Sequence, residues 1–139
     1  MTRLLLDTNI ALDVLLDRQP HAEASAAVWE AVEAGSATGM LAAHAVTTIH
    51  YLICKRMGNA GAVRVIHRLL RVFEAAAVDG PVILEALQLA FADFEDAVTA
   101  AAARAAGCTW IVTRDPKGFR GSPVRSVAPE AVLPLLGQL

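Results

Sequence analysis

The sequence predicts an α/β fold with a parallel sheet that helices cover on both faces. Short apolar runs that suit buried strands alternate along the 139 residues with longer segments of helical pattern. Alanine is concentrated in the helical segments, and 55% of all residues are hydrophobic. A chain of this length can bury a sizeable core without a metal or disulfide. We therefore expect a single domain over residues 1–139.

The predicted strands are short, and polar or acidic residues follow several of them. The first is a leucine run, and the fourth is rich in β-branched and aromatic residues, which favour strands. The third precedes an Asp-Gly-Pro turn, and the fifth follows a loop at residues 116–122. In chain order we predict strands at residues 3–6, 38–43, 73–78, 109–113 and 124–127.

The predicted helices are delimited by capping residues, glycine and proline. Residues 7–9 (Asp-Thr-Asn) can cap the first helix, Pro20 ends it, and Gly35 ends the second. Gly58 separates the third helix from the fourth, and Pro81 suits the start of the fifth. In chain order we predict helices over residues 10–16, 21–34, 45–57, 60–72, 81–92 and 93–107, with a last helix from residue 129.

Charge and composition exclude several classes of function. The net charge of −2 creates no strong field for nucleic acid, so any such contact must come from a local basic patch. No apolar stretch approaches the roughly 18 residues of a membrane span, and the N-terminus does not resemble a secretory signal. Cys54 and Cys108 have no partner at metal-ligand spacing, which favours reduced cysteines in a cytoplasmic protein. The high mean hydropathy of +0.47 suggests a surface covered by a second copy.

Four aspartates are expected at one edge of the sheet. Asp7 and Asp115 directly follow predicted strands, while Asp93 and Asp96 open the helix before the fourth strand. Ligands of parallel α/β sheets bind at the carboxyl edge of the strands. Carboxylates gathered there stay ionised together only if a cation neutralises them, and Mg²⁺ prefers oxygen ligands. The pattern therefore favours a divalent metal site.

Each aspartate also has a purely structural interpretation. Asp7 can cap the first helix, and the Asp93-x-x-Asp96 spacing resembles a capping box. Asp115 followed by Pro116 can form an ordinary turn. The joint placement of all of them, rather than any one, favours function.

Three segments of the chain resemble the signature blocks of PIN domains. They are Leu-Leu-Leu-Asp-Thr-Asn-Ile at residues 4–10, Asp-Phe-Glu-Asp-Ala-Val at residues 93–98, and Ile-Val-Thr-Arg-Asp at residues 111–115. The Arg-Gln-Pro-His segment at residues 18–21 is most similar to the prokaryotic branch that includes the VapC-like toxins. The resemblance implies a three-layer α/β/α sandwich with a five-stranded parallel sheet of order 3-2-1-4-5.

The same resemblance implies a function and a set of residues. It implies Mg²⁺- or Mn²⁺-dependent hydrolysis of RNA that leaves a 5′-phosphate and a 3′-hydroxyl. Asp7, Asp96 and Asp115 would be the catalytic, metal-binding acids, and Asn9 and Thr113 would support them. Asp93 is a further metal-ligand candidate. A toxin of this branch would pair with a separately encoded antitoxin of a type II pair and form a homodimer.

One position departs from the family pattern. The family usually has glutamate in the helix after the second strand, where this chain has Thr48. Thr48 can support a site but cannot supply charge, so Asp93 or a water would have to compensate. The alternative function is therefore a catalytically weak or inactive PIN domain that acts as an RNA- or protein-binding module.

Cations for RNA binding and a third functional class complete the hypotheses. Arg114, Lys117 and Arg120 lie close to Asp115 in sequence, and Arg18 follows the first helix. Phosphate contacts from such residues would give salt-sensitive affinity rather than sequence choice.

A phosphoryl-transfer enzyme of the haloacid dehalogenase-like type also begins with a strand ending in aspartate. That class needs a second aspartate two residues later, where this chain has Asn9.

Overall fold

One parallel sheet organises the molecule, whose computed structural model describes residues 1–136. Within that range five strands pair in the order β3-β2-β1-β4-β5, which confirms the predicted fold class and strand order. The strands are β1 (Arg3–Leu6), β2 (Thr38–Ala42), β3 (Glu74–Ala76), β4 (Trp110–Val112) and β5 (Arg125–Val127). The helices are α1 (Thr8–Leu15), α2 (Ala22–Glu33), α3 (Ala43–Val72), α4 (Gly80–Leu89), α5 (Phe94–Ala105) and α6 (Pro129–Val132). Single 3₁₀ turns occur at Pro116–Phe119 and Leu133–Leu135.

The central strand β1 separates two hydrophobic cores. Leu4 and Leu6 belong to one core, with side chains from α1, α2 and α3. Leu5 belongs to the other, with side chains from α4 and α5. Successive side chains of a strand point to opposite faces of a sheet, so a run of leucines is buried on both sides. The three leucines are at most 1% exposed, and the molecule has the predicted three layers.

Aspartate side chains start three of the helices. Asp7 accepts a hydrogen bond from the backbone N–H of Thr8, the first residue of α1. Asp79 and Asp93 each accept one from the backbone N–H three residues later, at the starts of α4 and α5. Such bonds satisfy N–H groups that have no partner inside the helix.

Some predicted boundaries differ from the structure. The prediction that the helix from residue 81 continues to residue 92 was wrong, because α4 ends at Leu89 and Ala90 adopts a left-handed conformation (φ 56°). Helix α1 begins at Thr8, two residues earlier than predicted. The predicted break at Gly58 is confirmed, because Gly58 has non-helical angles (φ 76°, ψ 171°) and separates two helical segments within α3. Glycine adopts such angles without the steric cost of a side chain.

The register of the central strands determines where the site residues lie. Leu6 of β1 pairs with Val112 of β4, so the residues that follow both strands emerge side by side. The backbone N–H of Asp7 donates to the carbonyl oxygen of Val112 at 2.9 Å. Backbone hydrogen bonds therefore determine the position of Asp7, the first site residue, at the carboxyl edge of the sheet.

In the described part of the chain, no helix combines the length and apolarity needed to span a membrane.

Candidate active site

Asp7 lies at the carboxyl end of β1 with both carboxylate oxygens engaged. Its Oδ1 accepts from the backbone N–H of Thr8 at 2.9 Å, and its Oδ2 accepts from Thr113 Oγ1, also at 2.9 Å. Thr113 is 1% exposed, so this contact is sheltered from water. Asp7 is therefore held in one orientation by two separate elements.

Thr113 connects Asp7 to Asp115. While its hydroxyl donates to Asp7, the same oxygen accepts the backbone N–H of Asp115 at 3.1 Å. One small side chain thus fixes the position of two predicted metal ligands. The interpretation of Thr113 as a supporting residue agrees with this geometry.

Asp96 and Asp115 approach each other beside Gly118, in the 3₁₀ turn after β4. A methyl group added at Gly118 would lie 3.0 Å from Asp115 Oδ2 and 3.3 Å from Asp96 Oδ2. Both oxygens are therefore close to one common point, although the residues come from different elements. Only glycine leaves this space free for the two carboxylates. Gly118 was not recognised in the sequence, because nothing in its local context indicates the contact.

The electrostatics of Asp96 confirm that several acids are crowded together. Burial, followed by the negative charges of Asp93, Asp7, Glu95 and Asp115, raises the pKa of Asp96 from 3.8 to about 7. Burial also raises the pKa of Asp7, and the hydrogen bonds from Thr113 and Thr8 oppose that shift. A raised pKa means that burial and nearby negative charges disfavour the ionised carboxylate. A bound cation would favour the ionised form again.

Glu95 and His44 are two neighbours that sequence reasoning did not select. The charge of Glu95 raises the pKa of both Asp7 and Asp96. Burial lowers the pKa of His44, while the charges of Glu95 and Asp7 act in the opposite direction. Both ring nitrogens of His44 are buried without a hydrogen-bond partner. Glu95 lies inside the Asp-Phe-Glu-Asp segment, so its proximity to Asp96 was the available signal.

The donor set suits a hard divalent cation, although its side chains are not fully arranged around one. Within residues 1–136, no three acidic, histidine or cysteine side chains already form a metal-binding group. Each oxygen of Asp7 accepts one hydrogen bond, from the backbone N–H of Thr8 or from Thr113, and keeps a second lone pair. Mg²⁺ commonly uses only one or two carboxylates and retains several waters. Asp7, Asp96 and Asp115 offer carboxylate oxygens of this kind at one edge of the sheet.

The remaining predicted supporting residues have other contacts. Thr48 Oγ1 donates to the backbone carbonyl of His44 at 3.3 Å, so its hydroxyl closes the first turn of α3. Asn9 Oδ1 accepts from Arg18 Nη1 at 3.1 Å on the protein surface. Asp93 accepts the backbone N–H of Asp96 at 3.2 Å and caps α5. The capping interpretation of Asp93 therefore agrees with the structure, and its charge still acts on Asp96.

The predicted RNA-binding cations separate into two groups. Lys117 and Arg120 line a cavity of about 420 Å³ together with Asp96, Asp115 and Gly118. Their exposed side chains are placed to meet an anion beside the carboxylates. Arg114 instead forms an ion pair on the other side of the loop, with Nε 2.8 Å from a carboxylate oxygen of α1. The cavity thus combines the candidate acids with two exposed cations from the segment that follows Asp115.

Comparison with known proteins identifies the sequence family and the fold. The PIN domain profile matches residues 3–117. The structure is similar to FitAcB from Neisseria gonorrhoeae, with 22% identity over 91% of this chain and 98% of that chain and a TM-score of 0.70. It is also similar to a toxin–antitoxin complex from Klebsiella pneumoniae, with 20% identity over 91% and 97% of the two chains and a TM-score of 0.70.

A third similar structure is VapC20 from Mycobacterium tuberculosis, described as a sarcin-ricin loop cleaving toxin. It shares 18% identity over 78% of this chain and 86% of that chain, with a TM-score of 0.61. At these identities the structural similarities concern the fold alone. No curated protein sequence matches the chain.

Proposed function

This chain belongs to the PIN domain family, and we propose that it is a ribonuclease that hydrolyses RNA phosphodiester bonds with Mg²⁺ or Mn²⁺. The observation that carries the proposal is the meeting of Asp96 and Asp115 beside Gly118, with Asp7 joined to the same group through Thr113. The similar VapC20 structure, described as a sarcin-ricin loop cleaving toxin, supports the same class of reaction.

In this proposal the acids bind the metal and the basic turn binds the substrate. Asp96 and Asp115 would be direct ligands. Asp7, whose carboxylate is oriented by Thr8 and Thr113, would complete the metal site. The bound metal would act as a Lewis acid on the scissile phosphate. Lys117 and Arg120 would bind phosphates that flank the cleaved bond, because they share the cavity with both acids.

Metal binding is tested by thermal melting with and without Mn²⁺. A ligand at a hundred times its Kd stabilises the native state by about 2.7 kcal/mol. For a chain of this size we expect Tm to rise by roughly 5–10 °C. The rise should disappear in Asp115→Asn and Asp7→Asn. An unchanged Tm in the wild-type protein at millimolar Mn²⁺ would contradict the metal site.

Cleavage is tested with a mixture of structured RNAs, Mg²⁺ or Mn²⁺, and a chelator control. We expect products with a 5′-phosphate and a 3′-hydroxyl, and no products when EDTA is present or Asp96 is changed to asparagine. A 2′,3′-cyclic phosphate product would exclude this mechanism. Cleavage by Asp96→Asn at the wild-type rate would show that another site or a contaminating nuclease is responsible.

We further propose that the chain is the toxin of a type II toxin–antitoxin pair. The similar structure from Klebsiella pneumoniae is described as a toxin–antitoxin complex, which supports a separately encoded antitoxin as partner. Expression of the chain alone should then arrest growth, and Asp96→Asn should relieve the arrest. Growth unaffected by wild-type expression would argue against the toxin role while leaving the nuclease proposal to the cleavage assay.

A homodimer is proposed from the exposed apolar side chains of two helices. Leu84 and Leu87 are 63% and 61% exposed on α4, and Phe94 is 47% exposed at the start of α5. Large apolar side chains exposed on neighbouring helices support an interaction surface. Light scattering should give the mass of two chains, and changing Leu84 and Leu87 to aspartate should give the mass of one. A wild-type monomer at micromolar concentration would contradict the dimer.

The whole chain, residues 1–139, is proposed to fold as one domain, for which a single cooperative melting transition is the test. Cys54 and Cys108 are both free thiols, which supports a reducing, cytoplasmic environment. Fractionation of cells that express a tagged chain would test that location.

The second candidate function is RNA or protein binding without cleavage. It is favoured by Thr48, whose hydroxyl closes a helix turn and adds no negative charge to the site. In that case RNA should be retained on a filter at low salt, and its length should stay unchanged after prolonged incubation with Mn²⁺. The cleavage assay therefore separates the two candidates directly.

A further inference from the structure

Asp13 is a fully buried acid that the proposed reaction does not use. It lies in the second turn of α1, its side chain is 0% exposed, and two side-chain hydrogen bonds and an ion-pair contact reach its carboxylate. Arg114 forms the ion-pair contact from Nε to Oδ2 at 2.8 Å and donates one hydrogen bond from Nη2 to Oδ1 at 3.1 Å. Ser25 Oγ, from α2, donates to Oδ2 at 3.2 Å. The buried charge is thus fully compensated by residues of two other segments.

The position of Arg114 relates this cluster to the site. Arg114 stands between Thr113, which donates to Asp7, and Asp115, whose backbone N–H binds Thr113. Asp13 belongs to the same helix that Asp7 caps. The segment after β4 is therefore attached to α1 at two points, at the helix start through Thr113 and about 9 Å further along the helix axis through Arg114.

We propose that Asp13, Ser25 and Arg114 form a positioning cluster that fixes the segment from Thr113 to Asp115 against α1 and so sets the spacing of Asp7 and Asp115. Its importance for catalysis rests on the proposed function. The cluster also gives Arg114, a predicted RNA-binding residue, a different role, because Arg114 is paired with Asp13. Its guanidinium is already bound in a bidentate pair and leaves phosphate contact to Lys117 and Arg120.

Positioning is a better explanation of the cluster than stability alone. A buried ion pair often stabilises a fold no more than apolar side chains of similar volume, because both charges lose their hydration. The bidentate pair does, however, restrict direction, since the planar guanidinium fork fits a carboxylate in one orientation. The Arg114 charge also lowers the pKa of Asp7, which places the two groups within electrostatic reach.

The test uses two variants, because removal of Arg114 alone would leave Asp13 buried without a charged partner. Arg114→Lys keeps the charge and loses the fork. The triple variant Asp13→Leu, Ser25→Ala, Arg114→Met replaces the whole cluster by apolar groups and avoids an unpaired charge. Arg104→Lys is the matched control, since Arg104 pairs with Glu85 by a similar fork at an exposed place between α4 and α5.

The first readout is amide hydrogen exchange, which needs neither metal nor RNA. We expect the Asp115 amide to lose about tenfold of its protection in Arg114→Lys and in the triple variant, while the amides of Leu5 and Ile111 keep theirs. The second readout is the Mn²⁺ dissociation constant, measured by electron paramagnetic resonance. Outer-shell partners of a metal site typically affect affinity by 10- to 100-fold, so we expect at least a tenfold weakening in both variants. Arg104→Lys should change neither quantity.

The outcomes are distinguishable. Wild-type protection of Asp115 in a folded triple variant would overturn the positioning cluster, and if that variant does not fold, Arg114→Lys decides by the same measure. Wild-type behaviour of Arg114→Lys would also overturn it, because the charge rather than the fork would then be sufficient. A wild-type protein that binds no Mn²⁺ would refute the proposed function, and Asp115 exchange would still decide the structural part of the inference.

Discussion

Changing Gly118 to alanine is the sharpest test of the site, because it alters the carboxylate contact without removing any charge. The new methyl group would lie 3.0 Å from Asp115 Oδ2 and 3.3 Å from Asp96 Oδ2. Unstrained contacts of this kind begin near 3.5 Å, so the carboxylates must retreat by about 0.5 and 0.2 Å respectively. The carboxylates are the ends of side chains and can move this far without disturbing the backbone.

The expected consequence is a loss of activity with little loss of stability. A misplacement of 1 Å can reduce a rate by about 100-fold, so a shift of half that size predicts roughly a tenfold loss. Gly118 does not have a left-handed φ, so alanine adds no backbone strain, and we expect Tm to change by less than about 3 °C. The assay is the single-turnover rate of RNA cleavage together with the Mn²⁺ dissociation constant.

Gly80→Ala is the matched control, because a Cβ at Gly80 would have no other atom within 4 Å. It should leave both the cleavage rate and Mn²⁺ affinity unchanged. If Gly118→Ala cleaves RNA and binds Mn²⁺ as well as the wild type, the two carboxylates do not act together beside Gly118. The site would then have to be sought elsewhere.

Three further predictions concern the acids and the departure from the family pattern. Because the folded-state pKa of Asp96 is about 7 against an ordinary 3.8, ionised Asp96 destabilises the metal-free fold as pH rises from 4 through 7. Asp96→Asn should therefore raise Tm by about 3 °C at pH 8 and leave it unchanged at pH 3.5; equal shifts at both values would contradict the pKa. Glu95→Gln should weaken Mn²⁺ binding about threefold by calorimetry, because the charge of Glu95 acts on both Asp7 and Asp96 and an exposed charge contributes less than about 1 kcal/mol. Glu23→Gln on α2 should not, since Glu23 is not among the charges that act on these two acids. Thr48→Glu should increase the cleavage rate because it restores the acid that the family usually has there, and an unchanged rate would show that Thr48 does not limit activity.

The sequence predicted the centre of the sheet well because β1 and β2 are buried on both faces. A leucine run such as β1 has few other stable environments in a chain of this size, whereas the strand order was implied by the resemblance to PIN domains. Boundaries were less predictable where the backbone is unusual. Ala90 adopts a left-handed conformation although alanine has no preference for it, so the end of α4 could not be inferred from residue type.

Only those site residues that directly follow paired strands could be predicted from the sequence to lie close together. Asp7 and Asp115 follow paired strands, so their proximity is a consequence of topology. The role of Gly118 depends on a distance between two turns, and the partner of Arg114 lies 101 positions away in sequence. RNA binding was predicted for Arg114 because it is next to Asp115 in sequence. In the structure its guanidinium instead contacts Asp13, a buried acid on α1.

The free-energy cost of ionising the acids at the carboxyl edge affects both the stability of the fold and the binding of a metal. Asp7 and Asp96 have raised pKa values because neighbouring negative charges and burial oppose ionisation, and that opposition destabilises the fold at neutral pH. The protein retains the arrangement through Thr113 and the backbone N–H of Thr8, which bind only one orientation of Asp7. A divalent cation would relieve the same repulsion that Asp96→Asn removes. The stabilisation by Mn²⁺ should therefore grow with pH as Asp96 ionises, because below pH 7 the cation must displace a proton.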